Sequence, residues 1–167
     1  MNKSITKHIT TLTLSSLLFV SSAAFSNNLI QITPELTLQG AKVIASAATK
    51  KAQSENWNVV IAITDAAGYL KYLERMENVQ LSALEVAIEK AKTSVMYSRP
   101  TQAFEDRVRK GDIPVTMLPD LLPFSGGVPI RVDGKIIGAI GVSGVKSTQD
   151  AEIAQAGIDA LLEQLKK

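Results

Sequence analysis

The stretch FSGGVPIRVDGKIIGAIGVSG, residues 124–144, decides the fold predicted for this chain. It contains two apolar runs, Val128 to Val132 and Ile136 to Val142, which flank Asp133-Gly134. Asp-Gly is typical of a tight hairpin turn, in which both central residues take positive φ. The stretch therefore predicts two antiparallel strands. Its glycines are compatible either with tight packing or with a wall beside a flat ligand, because each leaves out a Cβ atom.

A second hairpin and several helices are predicted along the rest of the chain. Residues 57–64 are apolar and β-branched, a turn follows at 65–68, and the chain returns to Arg75 with alternating side chains. Spacing and capping residues predict helices over 34–54 (with Thr33 as N-cap), 81–98, 101–110 and 147–165. Two hairpins imply an antiparallel sheet, so the predicted fold class is α+β: a central antiparallel β-sheet covered by helices in a single domain.

The segment GDIPVTMLPDLLP, residues 111–123, fits no regular element. It has three prolines among apolar side chains. Irregular apolar chain of this kind normally covers something. We therefore expect it to cover a core edge, a subunit contact or a pocket.

Residues 1–26 have the composition of an export signal. Lys3 and Lys7 form a basic start, an apolar core follows from Ile9 to Val20, and small residues stand at Ala24 and Ser26. The apolar core is too short to span a bilayer. We therefore expect residues 27–167 to form one exported domain, periplasmic or secreted, without insertion into the membrane.

The charge and the rare residues exclude several classes of function. The whole chain has 18 basic and 16 acidic residues, and the excess disappears with the two signal lysines. A neutral domain is a poor candidate for binding nucleic acid. The chain has no cysteine, and its one histidine, His8, lies in the signal. The mature domain therefore lacks the residues for disulfides, for the usual zinc sites and for a Ser-His-Asp triad.

Several motifs together resemble the GlcG/HbpS family of haem-binding proteins, whose domain also forms the C-terminal part of PduO-type proteins. The motifs, in chain order, are Asp65 to Gly68, Arg75-Met76, Glu89 to Thr93, GGVPI at 126–130, IGAIGVSG at 137–144, Asp150 and Ala156-Gly157. The resemblance implies that residues 27–167 form one α+β domain that assembles into homo-oligomers, often octamers, and binds haem or a related tetrapyrrole. The chain departs from the family pattern at Glu77-Asn78-Val79, where members commonly carry Asp-Gly-Ala.

Without histidine or cysteine, an axial ligand for haem iron must come from another donor. The candidates are the tyrosines at 69, 72 and 97, the Thr101 hydroxyl, and the methionines at 76, 96 and 117. The resemblance places haem near a Pro-Thr pair at a helix end, which here is Pro100-Thr101. Thr101 is the preferred iron ligand and Tyr97 the stronger oxygen donor, while Arg99 or Lys90 would meet a propionate. The alternative role for Thr101 is N-cap of the following helix.

The leading hypothesis for function is an exported haem-binding protein that scavenges, buffers or senses haem, with a membrane sensor protein as a possible partner. A second hypothesis is an enzyme that degrades haem or acts on a small hydroxy acid. A third is an oligomeric interaction module, in which the glycine-rich hairpin serves packing alone.

Overall fold

The two predicted hairpins join into one four-stranded antiparallel sheet in the computed structural model, which describes residues 32–166. The strands are β1 (Val60–Asp65), β2 (Leu70–Arg75), β3 (Gly127–Val132) and β4 (Lys135–Ser143). Their order across the sheet is β2-β1-β4-β3, and the two hairpins meet along β1 and β4, where Ile61 lies opposite Val142. The predicted central antiparallel sheet is confirmed. The predicted signal, residues 1–26, lies outside the described residues.

Four helices cover the sheet, as predicted. They are α1 (Leu38–Ser54), α2 (Ala83–Met96), α3 (Gln102–Arg109) and α4 (Ser147–Leu165). A short 3-10 turn, Ile113–Met117, lies in the segment predicted to be irregular. None of the helices within residues 32–166 is long and apolar enough to cross a membrane.

The predicted start of the first helix at Thr33 is wrong. The helix begins four residues later, with Thr37 as its N-cap, and the Thr37 hydroxyl accepts a hydrogen bond of 3.0 Å from the Gly40 amide. Leu36, the residue before this cap, is buried in the core. The capping bond and the burial of Leu36 together outweigh the Thr-Pro-Glu pattern upstream.

The two faces of the sheet are packed differently. On one face, α1 and α4 enclose a core with large aliphatic side chains, among them Ile61, Ile63, Ile140 and Val142. On the other face, α2 packs against Val60 and Ala62 through small residues such as Ala83 and Ala87. The small residues allow α2 to lie very close to the sheet.

Glycines within residues 124–144 permit this close approach of α2 to the sheet. A Cβ atom on Gly141 would lie 2.0 Å from the carbonyl oxygen of Ala87, and one on Gly127 would lie 2.2 Å from that of Lys90. Both separations are too short for any side chain. Of the two interpretations that the sequence leaves open, the structure supports tight packing at these positions, with helix α2 in the place of a flat ligand.

Candidate functional site

Helix α2 divides the region of the predicted site into an inner and an outer part. On the inner side, the Lys90 side chain is only 2% exposed. Its ammonium donates hydrogen bonds to Asp150 Oδ2 at 2.7 Å and to the Val142 carbonyl at 2.9 Å. Burial raises the pKa of Asp150 above its ordinary 3.8, although the Lys90 ammonium acts in the opposite direction. The ammonium is therefore enclosed and compensates a buried carboxylate, so the predicted contact of Lys90 with a propionate would require this pair to open.

Thr101 also belongs to the inner part. Its side chain is fully buried, and its hydroxyl accepts a hydrogen bond of 2.9 Å from the Gly127 amide. The Thr101 amide in turn donates to the Gly127 carbonyl at 3.0 Å. Thr101 stands at the N-cap position of α3, but its hydroxyl makes no capping bond. In this structure the hydroxyl joins the start of α3 to β3, and because it is buried it would reach a ligand only if the junction opened.

Tyr97 and Arg99 lie at the surface of the junction between α2 and α3. The Tyr97 hydroxyl donates to the Pro119 carbonyl at 2.6 Å, and its ring meets the Phe104 ring edge-on, with 5.2 Å between centroids. The Arg99 guanidinium lies over the same Phe104 ring at 5.7 Å. Arg99 is exposed and Tyr97 is half-buried. Of the four predicted site residues, these two remain within reach of a ligand.

The outer part is a crevice of about 740 Å³, which we call the α2 crevice. It is the largest of five crevices compared on residues 32–166. Three parts of the chain line it: the turn between β1 and β2, the outer side of α2, and Asp120. The lining residues are Ala66, Ala67, Gly68, Tyr69, Leu70, Glu89, Lys92, Val95, Met96 and Asp120. Its volume falls within the range of about 300–1,000 Å³ that is typical of small-molecule sites.

The α2 crevice holds an ion pair that the sequence did not single out as a site. Lys92 Nζ lies 2.7 Å from Glu89 Oε1, and both side chains are partly exposed. The hydrogen bond to Glu89 raises the pKa of the Lys92 ammonium above its ordinary 10.5, so Lys92 is charged at neutral pH. Both residues lie in the Glu89-to-Thr93 motif. Helical periodicity could have identified this pair from the sequence, because it places Lys92 about 200° around the helix from Lys90, on the opposite side.

A smaller crevice, of about 340 Å³, is lined by Pro100, Gln102, Gly127 and Val128 among others. Its lining includes neither an aromatic ring nor a methionine nor a basic side chain. The hydroxyl of Ser125, another lining residue, is buried and forms no hydrogen bond within residues 32–166. This crevice adjoins Thr101 without exposing its hydroxyl.

Haem requires an apolar slot, a donor atom for iron and cations for its propionates. The α2 crevice offers apolar contacts from Leu70 and Val95, a phenol from Tyr69, a thioether from Met96 and the Lys92 ammonium. Tyr69 is 75% exposed and Met96 is 54% exposed, so both are accessible. The α2 crevice therefore holds the residue types that haem requires, beside the carboxylates of Glu89 and Asp120, whereas the smaller crevice has no aromatic, thioether or basic side chain among the lining residues that the structure describes.

Comparisons with known proteins identify the family. Residues 36–159 match the family described as "Haem degrading protein HbpS-like". The chain is 41% identical over 108 residues to Protein GlcG of Escherichia coli K12, which covers 65% of this chain and 81% of that protein.

Two solved structures show the same architecture. One is the crystal structure of a PduOC:heme complex, with a TM-score of 0.70 and 31% identity over 76% of this chain and 95% of the other. The other is a crystal structure of HbpS, with a TM-score of 0.73 and 28% identity over 79% of this chain and 94% of the other. The resemblance predicted from the motifs is confirmed: this protein belongs to the HbpS-like family.

Proposed function

We propose that this protein is an exported haem-binding protein that holds haem, or a related tetrapyrrole, in the α2 crevice. The observation that carries the proposal is the crevice itself, because it combines size, apolar side chains, two residues with accessible donor groups and a cation. Membership of the HbpS-like family supports it, as does the likeness to a PduOC domain whose structure contains haem.

In this proposal each lining residue has a separate role. Tyr69 or Met96 offers the donor atom to iron, and Lys92 meets a propionate in place of Glu89. Leu70 and Val95 contact the ring. Bound haem would supply a redox-active iron, and the chain's own residues bind it, orient it and exclude water from one of its faces. Tyr97 and Arg99 follow the end of α2, next to the lining residue Met96 in the chain, and the inward hydroxyl of Thr101 is a donor only if the junction opens.

The wider role follows from the same reasoning. The signal composition of residues 1–26 supports export to the periplasm or beyond, where a haem-binding protein would scavenge, buffer or sense haem. We further propose a homo-oligomer, since Ile113, Met117, Leu118 and Phe124 are exposed apolar side chains close together in the chain. A membrane sensor protein is the partner we propose for a sensing role.

Haem degradation is a second candidate, favoured by the description of the matched family. The two candidates differ in the fate of the porphyrin ring. Stable haem absorbance in the presence of a reductant and oxygen would favour storage or sensing, whereas release of iron with a ring-opened product would favour degradation.

The experiment that tests the proposal is a haem titration of the mature protein, followed by absorbance. We expect saturable binding, with a changed spectrum or weaker affinity in Tyr69→Phe or Met96→Leu. Tyr72→Phe is the matched control, because the Tyr72 hydroxyl bonds to Glu74 at 3.1 Å and Tyr72 packs against the opposite core. Absence of saturable binding would refute the function.

Thr101→Val decides between the α2 crevice and the junction. Valine keeps the shape of threonine and removes its hydroxyl. If the spectrum changes in Thr101→Val but in neither crevice variant, the iron ligand is Thr101 and the placement in the α2 crevice is wrong.

A further inference from the structure

The chain between α3 and β3 forms a strap, residues 112–124, whose two ends are fixed to α3. At its start, Asp112 pairs with Arg107 at 2.6 Å. Just beyond its end, the Ser125 amide donates to Glu105 Oε2 at 2.8 Å. Between these anchors the strap leaves α3 and crosses α2.

The middle of the strap is held by Thr93 of α2 and by Tyr97, the C-cap of α2, which are four positions apart and therefore on one face. The Thr93 hydroxyl accepts from the Leu122 amide at 3.0 Å and donates to the Asp120 carbonyl at 3.2 Å. The Tyr97 hydroxyl donates to the Pro119 carbonyl at 2.6 Å. All three bonds join an α2 side chain to strap backbone, so they set the position of the strap independently of its side chains.

Side-chain packing supplies only part of this attachment. Val115 is buried and Leu121, Leu122 and Pro123 are half-buried, whereas Pro119 and Asp120 are exposed and Met117 is 85% exposed. A segment with few buried apolar contacts opens readily unless hydrogen bonds hold it. Beside the half-buried Leu121 and Leu122, the hydrogen bonds of Thr93 and Tyr97 therefore fix the position of residues 119–122.

Asp120 is the strap residue that lines the α2 crevice. We propose that Tyr97 and Thr93 are positioning residues of this crevice: they latch the strap to α2, and so set how long a bound tetrapyrrole stays. The proposal rests on the proposed function. It gives Tyr97 a role distinct from iron ligation, because its hydroxyl already donates to Pro119.

The test measures haem loss and strap opening in the same variants. Haem dissociation from Tyr97→Phe and Thr93→Val is followed by transfer to excess apomyoglobin, and backbone hydrogen exchange of residues 120–122 is measured without haem. We expect haem loss about three- to tenfold faster, which is the factor that one hydrogen bond typically contributes. We also expect faster exchange and an unchanged absorption maximum. Thr116→Val is the control, because its hydroxyl bonds to Ile113 within the strap.

Each outcome bears on one claim. A shifted absorption maximum in Tyr97→Phe would make Tyr97 an iron ligand and overturn its positioning role. Unchanged dissociation and unchanged exchange in both variants would overturn the latch, while haem binding by the unmodified protein would leave the proposed function intact. If the unmodified protein does not bind haem, the proposed function fails and the residence role of the latch fails with it.

Discussion

Lys90 and Lys92 stand two residues apart on the same helix, yet they belong to opposite kinds of environment. Lys90 points into the protein and compensates Asp150, with both side chains 2% exposed. Lys92 points outward, pairs with Glu89 and lines the α2 crevice. Each residue of an α-helix turns the side chain by about 100°, so a step of two residues is enough to cross from core to surface.

The difference shows how polar groups divide between structure and binding. On the inner side, Lys90, Thr101 and Glu105 have their hydrogen-bonding groups engaged by the protein itself. On the outer side, accessible donors stand beside exposed apolar side chains. A buried polar group left without its partner is costly, so the inner groups hold the fold together and the outer ones are free to exchange partners.

The largest expected effect is a difference in protein stability between substitutions of the two lysines. Lys90→Met should lower the free energy of unfolding by about 3–5 kcal/mol, because it leaves the Asp150 carboxylate buried without its partner. Lys92→Met, the matched control, should cost less than about 0.5 kcal/mol, as expected for a surface pair. Urea unfolding of both variants measures the difference.

A double variant sharpens this result. Lys90→Met with Asp150→Leu removes both charges and should recover much of the loss, because no uncompensated ion remains. Equal losses in the free energy of unfolding for Lys90→Met and Lys92→Met would contradict the assignment of Lys90 to the interior and Lys92 to the surface.

A smaller effect concerns the buried carboxylate of Glu105 and the stability of the protein at acidic pH. Burial acts to raise the pKa of Glu105, but hydrogen bonds from Arg109, the Ser125 amide and the Ser147 hydroxyl outweigh it and hold the pKa below its ordinary 4.5. A pKa that is lower in the folded state stabilises the fold above the unfolded value and loses that contribution as the pH falls through the folded value.

Glu105→Gln should therefore lower stability at neutral pH by about 1–3 kcal/mol, the cost of losing hydrogen bonds to a charged group. It should also flatten the fall in stability on acidification below about pH 4.5, the ordinary pKa. Urea unfolding across this pH range measures both. Asp106→Asn, an exposed carboxylate on the same helix, is the control. A profile for Glu105→Gln that runs parallel to that of the unmodified protein would show that this carboxylate does not carry the acid sensitivity.

The smallest expected effect is a change in haem affinity, which tests the residues on the outer side of α2. Glu89→Gln removes the partner of the Lys92 ammonium, so haem should bind about threefold more tightly through a propionate. Lys92→Met should weaken haem binding by a similar factor. Both factors are those expected for a partly exposed charge pair. Added salt should reduce both effects. The measurement is a haem titration at two salt concentrations. If neither substitution changes affinity, the propionates lie elsewhere, and Arg99→Met becomes the informative variant.

Much of the fold was predictable because it depends on local patterns. The Asp133-Gly134 turn between two apolar runs predicts a hairpin, and helical spacing over residues 81–98 predicts the helix observed as α2. The start of α1 was not predictable from the Thr-Pro-Glu pattern, because a competing cap at Thr37 lies one turn downstream, next to the buried Leu36.

The candidate site was predictable only in its neighbourhood. The end of α2 lines the crevice, and of the three expectations for residues 111–123, a core edge, a subunit contact or a pocket, the position of Asp120 agrees with the pocket. The individual residues were harder to assign, since the α2 crevice combines the turn at 66–70, one face of α2 and the strap. These three segments are far apart in the chain, and no local pattern reports that they meet.

The sequence by itself determined the family, the two hairpins and the helical cover, because turn chemistry, apolar periodicity and motif order act over a few neighbouring residues. Only the tertiary structure decided which lysine is buried, that the Thr101 hydroxyl bonds to Gly127, and which segments enclose the crevice. The physical reason is that burial and hydrogen bonding depend on neighbours distant in the chain: Asp150 lies 60 residues from Lys90 and Gly127 lies 26 from Thr101.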